Sequence, residues 1–160
     1  MMAAMPQLAQ VNVARLLAPL QSEQLAGFVA ALGPVNATAD EAPGFVWRLQ
    51  DDSGNATDVD AFRWDAAGHV GVIVNLSVWA DTDQLTAFVY SPLHREVLRE
   101  RRQWFAAVTD ATTACWWVPD GHRPTTAEAE DRVRHLRQRG PTPWSFTLRT
   151  HFPPEEALAP

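Results

Sequence analysis

The chain contains no lysine, so all 13 of its basic residues are arginine. That absence excludes a Schiff-base lysine, hence ordinary pyridoxal chemistry, and any phosphate loop of the Walker type. Cys115 is the single cysteine, which rules out an internal disulfide and a cysteine-rich metal cluster. No run reaches the ~18 apolar residues of a membrane span, and the opening MMAAMPQLAQ lacks a basic segment followed by a hydrophobic core. The expectation is a cytoplasmic protein with no membrane partner. Positive charge is scarce overall: the formal net charge of −6 argues against a general nucleic-acid binder, which needs a basic surface. Tyrosine occurs once, against seven tryptophans. So many indoles suit a bulky apolar pocket or interface, although cores use them too.

What is present is globular in character, with 46% hydrophobic and 20% charged residues. No repeat or long linker divides the chain, so residues 1–160 are read as one domain. Gln7 to Arg15 alternates as a strand, and Ser22 is a candidate N-cap for a helix through Leu25, Phe28, Val29 and Leu32. Gly33 and Pro34 weaken its far end, and Asn36 shares its apolar arc if the helix continues past them. Phe45 to Gln50 is a second strand and Asp51 to Asp60 an exposed loop. Val70 to Trp79 (VGVIVNLSVW) is the strongest strand, with both faces reading as buried. Asp81 or Thr82 caps a helical segment through Leu85, Phe88 and Tyr90. Thr112 to Val118 is a fourth strand, and Thr125 with Glu128 resembles a capping box for a helix ending at Gly140. A short strand near Phe146 to Leu148 closes the pattern.

Between the third and fourth strands lies a helix read as Leu93 to Val108, with Ser91 and Pro92 as N-cap and first turn. Leu93, Trp104, Val97, Val108, Phe105 and Leu98 share an arc about 140° wide on its wheel. His94 and Arg101 fall inside that arc. Arg95, Glu96, Arg99, Glu100, Arg102 and Gln103 form a solvated face opposite. A buried cation needs a partner, a ligand or a cavity, so the helix is expected to border a site. The element order fits an α+β, ferredoxin-like, four-stranded antiparallel sheet with helices on one face, plus an extra C-terminal helix at about 125–140. One helical layer would leave the second sheet face bare, and a homodimer packed through that face would cover it.

The segment LSVWADTDQLTAFVYSPLHREVLRERRQWF (76–105) resembles the dimeric α/β-barrel superfamily, and with LAQVNVARL, PGFVWRLQ, WWVPDGHRPT and GPTPWSFT the chain resembles the bacterial family called domain of unknown function 3291. These segments span nearly the whole chain. The resemblance implies a homodimeric barrel of ferredoxin-like protomers. The wider superfamily holds cofactor-free monooxygenases, isomerases, and haem enzymes such as chlorite dismutases. A partial likeness to spheroidene monooxygenases, which are haem proteins, implies His94 as an axial ligand. No C-x-x-C-H haem fingerprint accompanies it.

The candidate catalytic residues are His94, Arg101 and Asn75. His94 is a general base, a haem ligand, or simply a histidine bonded to a backbone carbonyl. Arg101 holds an anion through its forked donors or makes an ion pair. Asn12 and Asn75 lie inside apolar strands that such a fold makes adjacent. They serve cross-strand bonding or point donors at an oxyanion. Ser77, Trp79, Phe88, Tyr90, Val97, Trp104 and Phe105 are expected to line the same pocket. Trp47 and Trp116 read as core, His122 as a loop or capping residue, and Cys115 as an inert buried thiol. Scattered histidines without helical pairing argue against a protein metal site other than haem. The resulting expectation is an enzyme acting on a small hydrophobic or aromatic molecule, most readily a monooxygenase, haem-dependent or cofactor-free. An isomerase or cyclase, or a non-catalytic binding module for a small ligand or haem, would use the same residues.

Overall fold

The computed structural model describes residues 5–51, 54–55, 57 and 60–157. Alternating apolar residues build four strands, β1 (Gln7–Arg15), β2 (Phe45–Arg48), β3 (Val72–Trp79) and β4 (Thr113–Val118). They join in the order β2-β3-β1-β4 with every pairing antiparallel. The helices are α1 (Ala26–Glu41), α2 (Thr82–Val89), α3 (Pro92–Trp104), α4 (Thr126–Arg139) and a short α5 (Pro154–Ala157). This is the ferredoxin-like α+β arrangement, an open sheet and not a closed barrel.

Side-chain alternation gives the sheet two different faces. One carries Ala9, Val11, Val13, Val74, Leu76, Val78, Ala114, Trp116 and Val118, all buried in one apolar cluster. The extra helix α4 covers it through Ala129, Val133 and Leu136, with Ala61 and Phe62 beside them. Among the described residues the second sheet face is therefore covered by α4 from within the chain. α1, α2 and α3 lie on the opposite face in two separate clusters. Leu8, Trp79, Cys115, Trp117 and Leu85 make one; Leu16, Leu25, Phe28 and Trp104 make the other.

The cover over the first face is locked by charge. Asp65 is 3% exposed and accepts bonds from Arg15 Nη2 at 2.7 Å and Arg137 Nη1 at 2.5 Å. Arg15 Nε also donates to the Asp65 carbonyl, and Arg137 Nε to the Ala111 carbonyl. Burial alone would raise the Asp65 carboxyl, but the bonds and charges of Arg137 and Arg15 outweigh it and hold the group below its ordinary value. Phe62 sits at φ 58, ψ 29, a left-handed conformation that costs a non-glycine residue about 1 kcal/mol or more. Its buried ring and a bond from its N–H to Glu130 Oε1 at 2.9 Å hold it there.

Several boundaries differ from the sequence reading. α3 ends at Trp104; Phe105 is extended at φ −128, ψ 143 and bridges Leu16. Ser91 has N-cap geometry but makes no capping bond, and its Oγ is buried without a partner among the described residues. α1 runs through Pro34 to Glu41. Glu128 receives the Thr125 cap but turns its own carboxylate to Trp116 Nε1 and His122 Nε2. β3 starts at Val72, leaving Val70 exposed. The last expected strand is a single bridge from Phe146 to Cys115. At Gly44, φ is +82 and an added Cβ would lie 2.5 Å from Gln84 Cβ, so the turn into β2 requires glycine. No helix among the described residues is long and apolar enough to cross a membrane.

Candidate functional site

The face under α1 to α3 changes character along its length. On β3 it runs Ile73, Asn75, Ser77, Trp79; on β1 it runs Ala14, Asn12, Gln10, Leu8. Asn12 and Asn75 are directly opposed in the antiparallel register. Both are exposed, although apolar clusters bury the two ends of the same rows. α3 reaches both ends: Val97 and Trp104 join the cluster with Leu16 and Ile73, and His94 contacts Phe88 in the cluster with Trp79. The middle of the sheet face is thus a polar, solvent-reached strip between two apolar walls.

Hydrogen bonding aims the strip. Gln10 Nε2 donates to Asn75 Oδ1 at 2.8 Å and to Ser77 Oγ at 2.7 Å. Trp79 Nε1 donates to the same Ser77 Oγ at 2.8 Å. Ser77 Oγ therefore accepts two bonds and keeps only its hydroxyl hydrogen to give, while Asn75 keeps both amide hydrogens. Among the described residues neither set of hydrogens has an acceptor. On the adjacent strand Asn12 Nδ2 donates to Thr113 Oγ1 at 2.9 Å. Gln10 organises this array and was not singled out in the sequence. Its spacing of two from Asn12, on the face that carries Asn75 and Ser77, is the signal that could have found it.

His94 lies beyond Trp79. The Trp79 and Phe88 rings stack with centroids 5.0 Å apart, and Phe88 packs against His94 at 5.2 Å. His94 Nδ1 donates to the Val89 carbonyl at 3.0 Å, so the proton is on Nδ1 and Nε2 carries a free lone pair. Burial pushes its pKa below the ordinary value, with the Val89 bond offsetting part of the shift. The ring stays neutral near pH 7 and competent to take a proton.

The other expected pocket residues separate. Arg101 is exposed, not buried in the apolar arc. Phe105 and Val108 had drawn that arc towards Arg101, and both lie beyond the helix. With them removed, the inward stripe narrows to the half-buried Leu93 and Val97 and the buried Trp104, with the half-buried His94 at its flank. Tyr90 is 67% exposed and shares an outer cleft with Arg101. Val97, Trp104 and Phe105 pack with Phe28 as core. Cys115 is fully buried, and that burial pushes its thiol up to about 12, so it is inert at neutral pH.

A haem at His94 would need a free Nε2, a flat apolar slot beside it and a cation for the propionates. Nε2 is free, but Trp79 and Phe88 are stacked on each other instead of parting around a slot, and Arg101 lies in a different cleft. The residues as placed do not fit the macrocycle.

A family model described as a domain of unknown function, DUF3291, matches residues 7–160. Among solved structures, a protein of unknown function from Nitrosomonas europaea is similar at 14% identity and a TM-score of 0.43, over 76% of this chain and 96% of that one. No curated protein matches.

Proposed function

The chain belongs to the DUF3291 family of unknown function, and from that premise we propose an enzyme that binds a small hydrophobic or aromatic carbonyl compound between the sheet and α1 to α3. The observation that carries this reading is the unspent donor set of Asn75 Nδ2 and Ser77 Oγ, fixed by Gln10 and Trp79. Two donors on adjacent same-face positions suit one carbonyl oxygen, and they bind it more strongly as negative charge develops there. The apolar walls around the strip suit the hydrocarbon part of such a ligand.

The chemistry that follows is proton abstraction beside the carbonyl. Asn75 with Ser77 holds the enolate oxygen, and His94 Nε2, separated from Ser77 by the stacked Trp79 and Phe88 rings, receives the proton through water rather than by direct contact. An electron-rich enolate can add dioxygen and a proton to give a hydroperoxide that loses water to leave a new carbonyl, the monooxygenase outcome without a cofactor. It can also be reprotonated elsewhere, the isomerase outcome. Asn12, exposed and opposite Asn75, orients the ring system, and the buried Trp79 holds Ser77 in place. A non-catalytic binding module would use Asn75 and Ser77 but not the His94 lone pair.

The test uses 2-tetralone, an enolisable aromatic ketone, in deuterated buffer with an oxygen electrode. Enzyme-dependent α-deuteration lost in His94→Gln and weakened at least tenfold in Asn75→Ala supports the reading. Oxygen uptake with the same dependence selects the oxygenase. Binding without deuteration reduces the reading to a binding module. A saturable Soret band on hemin titration that disappears in His94→Ala replaces it with a haem protein.

A further inference from the structure

The outer surface of α3 carries a feature the proposed enzyme does not use. Arg95, Arg99, Arg101 and Arg102 make no ion pair among the described residues; no carboxylate lies within 4.0 Å of their nitrogens. Arg95 and Arg99 are spaced i,i+4, and Arg99 and Arg102 i,i+3, so neighbours on the helix surface repel one another and weaken the helix. The intervening acids do not relieve this: Glu100 accepts from Gln103 at 2.6 Å. Four unpaired cations within two turns stand out on a chain of net charge −6.

These arginines line a shallow, open depression on the surface. A cleft of about 370 Å³ is lined by Tyr90, Arg95, Leu98, Arg99, Arg101 and Arg102. A second, of about 340 Å³, is lined by Pro92, Arg95, Glu96 and Arg99, and the Glu96 carboxylate leaves the first cleft the better anion site. Leu98 gives the first cleft apolar surface, and the largely exposed Tyr90 ring gives it a stacking platform beside the guanidiniums. Several forked cations call for more than one anionic group, and the phenol and leucine call for a flat or apolar portion on the same ligand.

We propose that this cleft binds a phosphate-bearing small molecule of the nucleoside diphosphate class, with the phosphates on Arg95, Arg99 and Arg102 and the base against Tyr90. The site is distinct from the sheet-face strip and stands whether or not the strip is catalytic.

Adenosine diphosphate, inorganic pyrophosphate and adenosine are titrated into the intact chain by calorimetry at 0.15 M salt, where weak surface attraction is largely screened. Saturable binding of the diphosphate with Kd below about 1 mM, weaker binding of pyrophosphate and none of adenosine supports the proposal. Arg99→Gln with Arg102→Gln, on a solvent face where folding is unaffected, should weaken diphosphate binding at least tenfold. Tyr90→Ala should bring the diphosphate down to the pyrophosphate level. No saturable diphosphate binding, binding unchanged in the double variant, or binding only to polyglutamate or anionic vesicles overturns it. The last result would make the surface a docking face for an acidic macromolecule.

Discussion

The two faces of one sheet have opposite polar economies. Beneath α4 the carboxylates are matched: Asp65 by Arg15 and Arg137, and Glu130 by the Phe62 N–H and the Trp64 indole. The buried Nε of Arg132 on α4 has no hydrogen-bond partner among the described residues, and the Arg132 guanidinium lies over the Trp116 and Trp144 rings. Beneath α1 to α3 the polar groups are arranged but not spent, with Asn75 and Ser77 left holding hydrogens. A buried charge without its partner is expensive, so the first face holds the fold together. Of that array only Asn75 is exposed, with Ser77 and Gln10 buried behind it. Unpaired hydrogens on an exposed amide contribute little to stability, so the second face is available for a ligand at Asn75.

Substitutions should split along the same line. The largest effect is expected for Asp65→Ala, which strands two mostly buried guanidiniums and should cost about 3–5 kcal/mol by urea unfolding. A cost below 1 kcal/mol would remove the lock from the account. Trp116→Ala, in the same cluster, should cost about 3–5 kcal/mol by the same measurement through cavity formation and loss of the Glu128 bond. On the opposite face, Asn75→Ala should change stability by no more than about 1 kcal/mol while weakening carbonyl-ligand binding at least tenfold. Equal stability losses on the two faces would erase the distinction.

The faces should also differ in their response to pH. Asp65 sits below its ordinary value in the folded state, so the unfolded chain binds that proton more readily. Its contribution is complete above the unfolded value near pH 4 and is lost as pH falls through the lower folded value. Asp65→Asn should remove that acid limb from urea unfolding followed between pH 5 and 2. His94 is also depressed, so a smaller loss of stability begins as pH falls below about 6.5. His94→Gln should flatten that limb alone.

Much of the scaffold was readable before any coordinates. Gln7 to Arg15 alternates well enough for a strand, and the element order made the first and third strands neighbours, where the register sets Asn12 opposite Asn75. The end of α3 was not readable, because Phe105 and Val108 continue a helical apolar period that the chain abandons to pair Phe105 with Leu16. Helix period is a local signal, and a single tertiary bridge overrode it. That error carried Arg101 into an imagined pocket. The cover over the second face was also missed, since Asp65 meets Arg15 and Arg137 across 50 and 72 residues, and no local pattern marks such a meeting. Gln10 was hidden for a plainer reason: a glutamine in a strand signals nothing until its neighbours across the sheet are known.

The most direct measurement is a ¹⁵N-¹H correlation spectrum that resolves the Asn75 side-chain amide and the Trp79 indole N–H, recorded while 2-tetralone is added. Saturable shifts at both groups, absent in Gln10→Leu and with the Trp64 and Trp116 indoles unmoved, are what the account predicts. Shifts confined to the α4 side, or an Asn75 amide that stays still while the ketone binds, would contradict it.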